Sequence, residues 1–399
     1  MSSVTWLDTS AEEQRHVREL LSLFARSESR DELGIGQIRD AFSDLLFPGT
    51  SVVQTRARYF LVVPWLYRAG AVRRSGAQLD AWVKQQERRL VEVLRREGHT
   101  EGLIGRRAGP QVKNLPSTIY WSGLVRYGIL RRGVALGRLG PAVAAAETDE
   151  LAERTRGDWY PTLPPAPDGF PAALPGGFDL TAEEGSWLAE RMCVAAPGSV
   201  LAGLLTSETP VDVHSAAPWD DPASLGLPEA ATEVLDHAER FSLAMLGAAL
   251  LYNLLVGEQY EQAGLTRVQE PVARYREQLE AWAAECRGAD FEVWDRARFW
   301  DLVRVVNPRI GALTRGFVDR WLDAVVAGQI AGAADDGALR GLVLARERVQ
   351  KRGQARLANR NLLTAWSGAS GSGRLDYRWG TVRRLVSDIQ EGLGTGAVA

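Results

Sequence analysis

The sequence is poor in cysteine, histidine and lysine, and each shortage closes a class of chemistry. Among 399 residues there are two cysteines, Cys193 and Cys286, and four histidines. Two thiols so far apart make neither a disulfide framework nor a structural zinc site. The histidines at positions 16, 99, 214 and 237 stand far from one another, so no metal site and no catalytic triad is expected. Lysine occurs 3 times against 44 arginines, and no Gly-Lys pair exists, which removes the phosphate loop of P-loop ATPases. None of Lys84, Lys113 and Lys351 has an acidic residue two positions before it, and no histidine has a lysine two positions away. The restriction-type nuclease core and the phospholipase-D-type nuclease site are thereby excluded. His-Glu-x-x-His and Cys-x-x-Cys are absent as well. The residue types of a catalytic centre do not gather anywhere, and a non-enzymatic protein without cofactor is expected.

Two further absences bear on location. The N-terminal stretch lacks the basic-then-apolar order of a signal peptide, so a cytoplasmic protein is expected. The longest uncharged run, Phe241–Gly257, has 17 residues and contains Ser242, Gly247 and Asn253. A membrane span needs about 20 apolar residues, so this run reads as a buried central helix with no membrane partner.

What the sequence does have is segregated charge. The net charge of -3 hides two basic lobes around an acidic middle. Residues 51–140 carry 17 basic and 5 acidic side chains, and residues 141–300 carry 10 basic and 27 acidic ones. Residues 346–384 add 10 basic residues against Glu347 and Asp376. Such blocks mark interaction surfaces more often than a uniform mixture does.

Apolar periodicity is helical nearly throughout, which predicts a mainly α, multi-helical fold. Ser10 opens a helix at 10–27, and Asp31 caps another that stops at Pro48-Gly49. A third helix is predicted from about Gln54 to Tyr67, with Arg56 and Arg58 on its first turn and Pro64 kinking it. A polar helix follows at 76–97. Lys113–Arg132 predicts a short helix starting at Pro116 or Ser117, with Tyr120, Leu124 and Tyr127 as its apolar stripe. Gly128 suits the left-handed position after it. Flanked by Lys113, Arg126, Arg131 and Arg132 and followed by the Gly-rich stretch 133–140, this element resembles a recognition helix and wing. Six prolines in 157–178 read as a linker lying on a surface. Thr181 and Glu184 form a capping box. The predicted organisation is a basic helical domain at 1–140, winged-helix-like in its pattern, a Pro-rich linker with connecting helices at 141–228, and a helical domain at 229–399.

The Ser/Gly run at 366–373 shares only its composition with phosphate-binding loops and reads as a connector. It leads into Arg374, Tyr377, Arg378 and Trp379, then Arg383 and Arg384. Basic and aromatic residues so interleaved suit phosphate clamping and base stacking. Pairing of the same arginines with the acidic middle is the competing expectation.

The segments at 31–67, 113–130, 178–192 and 356–389, with the strings RARYFLVVPW and LDYRW, resemble the serial landmarks of an uncharacterised bacterial family of unknown function. The resemblance implies a setting beside helicases and phospholipase-D-like nucleases in antiphage defence clusters, and brings no catalytic residue. The residues expected to contact duplex DNA are therefore Arg56, Arg58, Lys113, Arg126, Arg131, Arg132, Arg374, Tyr377, Arg378, Arg383 and Arg384. The chain reads as a DNA-binding accessory subunit of a defence complex. The alternative is a scaffold that binds a helicase or nuclease partner without touching DNA.

Overall fold

A computed structural model describes residues 31–131 and 158–395. The predicted helix at 10–27, Arg132 and the Gly-rich stretch at 133–140 lie outside the described residues. The described part is mainly helical, with 13 α-helices and no β-strand. Its one isolated antiparallel bridge joins Leu130 and Trp159.

The chain forms two compact units, one from residues 1–43 and 233–377, the other from 44–232 and 378–399. The first takes most of α1 (Gly36–Leu46), nearly all of the long α7 (Glu229–Gln262), and then α8 (Pro271–Gly288), α9 (Arg296–Val306), α10 (Ala312–Val326), α11 (Gly337–Lys351) and α12 (Arg360–Thr364). The second contains α2 (Tyr59–Ala71), α3 (Gly76–Arg96), α4 (Pro116–Arg126), α5 (Ala182–Ala195), α6 (Val200–Thr206) and α13 (Trp379–Thr395).

In the first unit, α7 is the axis. Its uncharged stretch is buried along nearly its whole length, as helices apolar on all faces must be. By length and apolarity alone this helix passes as a membrane span, but 83% of the qualifying window is buried inside the protein. Four helices anchor to it through polar atoms or rings. The Trp282 indole of α8 donates to the Leu243 carbonyl at 2.8 Å, and Trp321 of α10 donates to the Ala244 carbonyl at 2.8 Å. Phe299 of α9 lies 5.1 Å from Phe241, and Glu347 of α11 accepts the Tyr252 hydroxyl at 2.9 Å. Gly247 permits the closest of these approaches, since any Cβ there would stand 2.2 Å from the Trp282 ring. Among the described residues eight tryptophans are buried, so the aromatic surplus builds helical cores. Asp31 caps α1 as its spacing predicts, accepting from the Ile35 and Gly36 amides at 2.8 Å each.

In the second unit, α2 is buried at every residue from Tyr59 to Tyr67, its internal Pro64 included. Helices α3 and α4 pack on it, and α13 packs on α5 and α6. The capping box at Thr181 and Glu184 is formed as expected. Helix α4 starts with Pro116 in its first turn, and Gly128 follows it at φ +66°. Tyr120, Leu124 and Tyr127 are all buried. The Pro-rich stretch from 158 lies against the unit rather than apart from it. Leu163, Leu174 and Phe178 are buried, and the Trp65 indole donates to the Pro164 carbonyl at 2.8 Å.

Candidate functional site

Arg56 and Arg58 precede α2 instead of sitting on its first turn, because that helix begins at Tyr59. Both point inward. The Arg56 Nε donates to both oxygens of Asp388 on α13 at 3.0 Å, and the Ala57 amide donates to the same carboxylate at 2.8 Å. Burial raises the Asp388 carboxyl above its ordinary range, while the neighbouring guanidinium draws it back down. The Tyr120 hydroxyl completes the arrangement. It accepts the Thr55 and Arg56 amides at 2.8 and 3.1 Å and donates to the Arg56 carbonyl at 2.9 Å. Arg58 donates to Glu184 Oε1 at 2.9 Å and to the carbonyls of Pro175 and Gly177 at 2.8 Å. All four of the segments that carry the family resemblance therefore meet here, three of them joined by two guanidinium–carboxylate pairs and the fourth brought in by Tyr120. These two arginines hold the unit together and present little to a phosphate.

The C-terminal candidates are also engaged, each within its own unit. Arg374 pairs with Glu285. Tyr377 is fully buried, donating to the Ala238 carbonyl at 2.7 Å, and burial pushes its phenol well up. Arg378 bonds Asp44 at 2.7 Å and the Thr50 carbonyl at 2.9 Å. Arg383 donates to the Ser215 carbonyl, and Arg384 pairs with Glu101. Internal pairing thus engages this stretch, but only Arg374 finds its carboxylate in the acidic middle, since Asp44 and Glu101 lie outside residues 141–300. Tyr377 and Arg378 both take left-handed backbone conformations, φ 51° and 71°, an arrangement that packing on either side has to impose.

Lys113, Arg126 and Arg131 are exposed, but α4 buries Ile119, Tyr120, Gly123 and Leu124 and leaves a narrow solvent face. The larger exposed basic surface lies on α3 and the turn after it, in residues that the motif reading passed over. Arg89, Arg95 and Arg96 are exposed on α3, as are Arg106 and Arg107 just beyond it. The side-chain nitrogen of Arg95 stands 3.0 Å from where a Cβ on Gly109 would be, which brings the helix end against the turn carrying Arg106 and Arg107. None of these five, nor Lys113, forms an ion pair among the described residues. The signal was present in the sequence. Leu79, Val83, Leu90 and Leu94 set the buried face of α3, and the arginines fall off it.

Beneath that surface lies one unusual acid. Glu87 of α3 is buried, forms no ion pair among the described residues, and accepts the Ser117 amide at 2.6 Å and the Ser117 hydroxyl at 2.9 Å. Desolvation raises its carboxyl to about 7 from 4.5, against the lowering effect of the Ser117 hydrogen bonds. The folded state thus binds this proton more tightly than the unfolded chain. Its contribution to stability is at full strength below about pH 4.5, falls as pH rises, and is lost above about pH 7. Glu87→Gln keeps an acceptor for the Ser117 amide and cannot ionise. It should be more stable than the parent at pH 8 by about 2–3 kcal/mol and nearly equal at pH 5. Urea unfolding at the two pH values measures this, and parallel pH dependence in both proteins would refute it.

No group of three or more His, Cys, Asp or Glu side chains able to hold a metal ion occurs among the described residues. Burial pushes the Cys286 thiol up to about 12 and raises Cys193 as well, which suits inert core thiols. No curated protein and no solved structure matches the chain. Across residues 1–392 the sequence fits DUF6361, a family of unknown function, and the chain belongs to that family.

Proposed function

We propose that this protein is a non-enzymatic, cytoplasmic accessory subunit that binds duplex DNA through the second unit. The observation that carries the reading is the exposed basic surface of α3 and the following turn, where Arg89, Arg95, Arg96, Arg106 and Arg107 have no carboxylate partner among the described residues. Exposed, uncompensated guanidinium groups are what phosphate contacts need. The antiphage-defence setting and a helicase or nuclease partner belong to the same proposal and rest on the family resemblance. The pairing of Arg374, Arg378 and Arg384 with carboxylates favours a second reading, a scaffold that binds such a partner and no DNA.

The combined change of Arg95, Arg96, Arg106 and Arg107 to alanine separates the two. Exposed side chains contribute within about 0.5 kcal/mol, so the melting temperature should hardly move. If each arginine meets a phosphate, the slope of log affinity against log salt should flatten by about 3 to 4. Undetectable binding of a duplex by the parent protein at about 50 mM salt, or unchanged binding by the variant, would favour the scaffold.

A further inference from the structure

The Ser/Gly run at 366–373 is tied down on alternate residues. The Trp366 carbonyl accepts from Arg267 at 2.6 Å, and the Gly368 carbonyl accepts from Arg274 at 2.5 Å and from the Tyr275 hydroxyl at 2.6 Å. The Ser370 carbonyl accepts from Asn253 of α7 at 2.9 Å, and the Ser370 hydroxyl accepts from the buried Arg356. A loop read from its composition as a connector is therefore fixed at three alternate positions.

The fixing has a geometric consequence. A trans peptide points its C=O and its N–H in opposite directions. With the carbonyls of Trp366, Gly368 and Ser370 turned toward donors of the protein, the amides of Ser367, Ala369 and Gly371 point the other way. All three of those residues are exposed, and none of their amides has an acceptor among the described residues. Two of the three peptides carry a guanidinium at the carbonyl end, which polarises the amide at the far end and strengthens it as a donor. A carbonyl is neutral, so Arg267 and Arg274 keep their full positive charge, and neither is in an ion pair among the described residues. The Ser370 hydroxyl, accepting from Arg356, retains its own proton for donation.

We infer that the loop at 366–373 is a phosphate-binding site, in which the amides of Ser367, Ala369 and Gly371 hold the oxygens of a phosphate group under the field of Arg267 and Arg274. Row-like amide donors next to fixed positive charge are the recurring solution for this ligand. The site belongs to the first unit and stands independently of the basic surface on α3. The phosphate comes either from a free nucleotide or from the backbone of a nucleic-acid strand, and the test distinguishes them.

Calorimetric titration of the full chain at low salt, with pyrophosphate, a nucleoside diphosphate and a short single-stranded oligonucleotide as separate probes, reads the site. Ala369→Asp adds a negative charge at an exposed position next to the Ala369 amide and replaces none of the groups that hold the loop's carbonyls. It should weaken the bound probe at least ~10-fold, as charge-assisted hydrogen bonds dictate, without shifting the melting temperature. Arg274→Gln should weaken it by a similar factor while also loosening the loop. Tightest binding by the diphosphates assigns a nucleotide, and tightest binding by the oligonucleotide assigns a strand. No binding of any probe at about 10 mM, or binding that Ala369→Asp leaves unchanged, overturns the inference.

Discussion

Arg58→Ala is expected to destabilise the protein by about 3–5 kcal/mol, the range for removing one partner of a buried ion pair. The Arg58 and Glu184 side chains are 3% and 7% exposed, so neither charge can turn to water when the other is lost. Alanine would strand the Glu184 carboxylate and the carbonyls of Pro175 and Gly177 together, since one guanidinium serves all three. The Arg58 cation also lies 5.7 Å from the Trp65 ring, a contact that alanine removes as well. Glu184→Ala should cost at least as much as the pair alone implies, because its second oxygen accepts the Thr181 amide at 3.1 Å in the capping box. The double variant should cost clearly less than the two single changes added, the mark of residues that act together. Urea denaturation of the three proteins measures the cycle. Strict additivity, or a loss below about 1 kcal/mol for Arg58→Ala, would show that the pair does not hold the unit.

The second large effect belongs to the other unit. Trp282→Ala should cost about 3–5 kcal/mol, as truncation of a buried tryptophan leaves a cavity that its surroundings cannot refill. Here the cavity opens on α7 beside Gly247, and the Leu243 carbonyl loses its indole donor. Trp321, stacked on Trp282 with ring centres 6.0 Å apart, would lose one face of its packing. Gly247→Ala tests the same contact from the opposite side and should cost about 1–3 kcal/mol by overpacking. Thermal unfolding followed by tryptophan fluorescence checks both. A Trp282→Ala protein as stable as the parent would mean that α8 does not depend on this contact.

Most of the helix boundaries were legible because they rest on local chemistry. Asp31, the Thr181–Glu184 capping box, Pro116 and Gly128 each act within a few residues, so spacing alone exposes them. The charge-free centre of α7 was legible as a buried helix for the same reason. The start of α2 was not, because Arg56 and Arg58 are compatible with a helical first turn by propensity. What pulls them out of it are Asp388 and Glu184, which lie 332 and 126 positions away.

The sequence by itself determined that the chain is mainly helical, that aromatic residues thicken its cores, and that its positive charge is concentrated in particular segments. Composition and periodicity suffice for these, since burial of an apolar stripe and capping of a helix end are decided by near neighbours. Only the tertiary structure decided which arginines remain available. An arginine beside a distant carboxylate and an arginine facing water look alike in a charge count, yet the first is neutralised and the second keeps its field. That distinction moved Arg56, Arg58 and Arg378 into the framework and left Arg95, Arg96, Arg106 and Arg107 at the surface. It also turned a Ser/Gly connector into a fixed row of amides, because the side chains that orient it come from α7, α8 and the residues just before α8, about a hundred positions upstream.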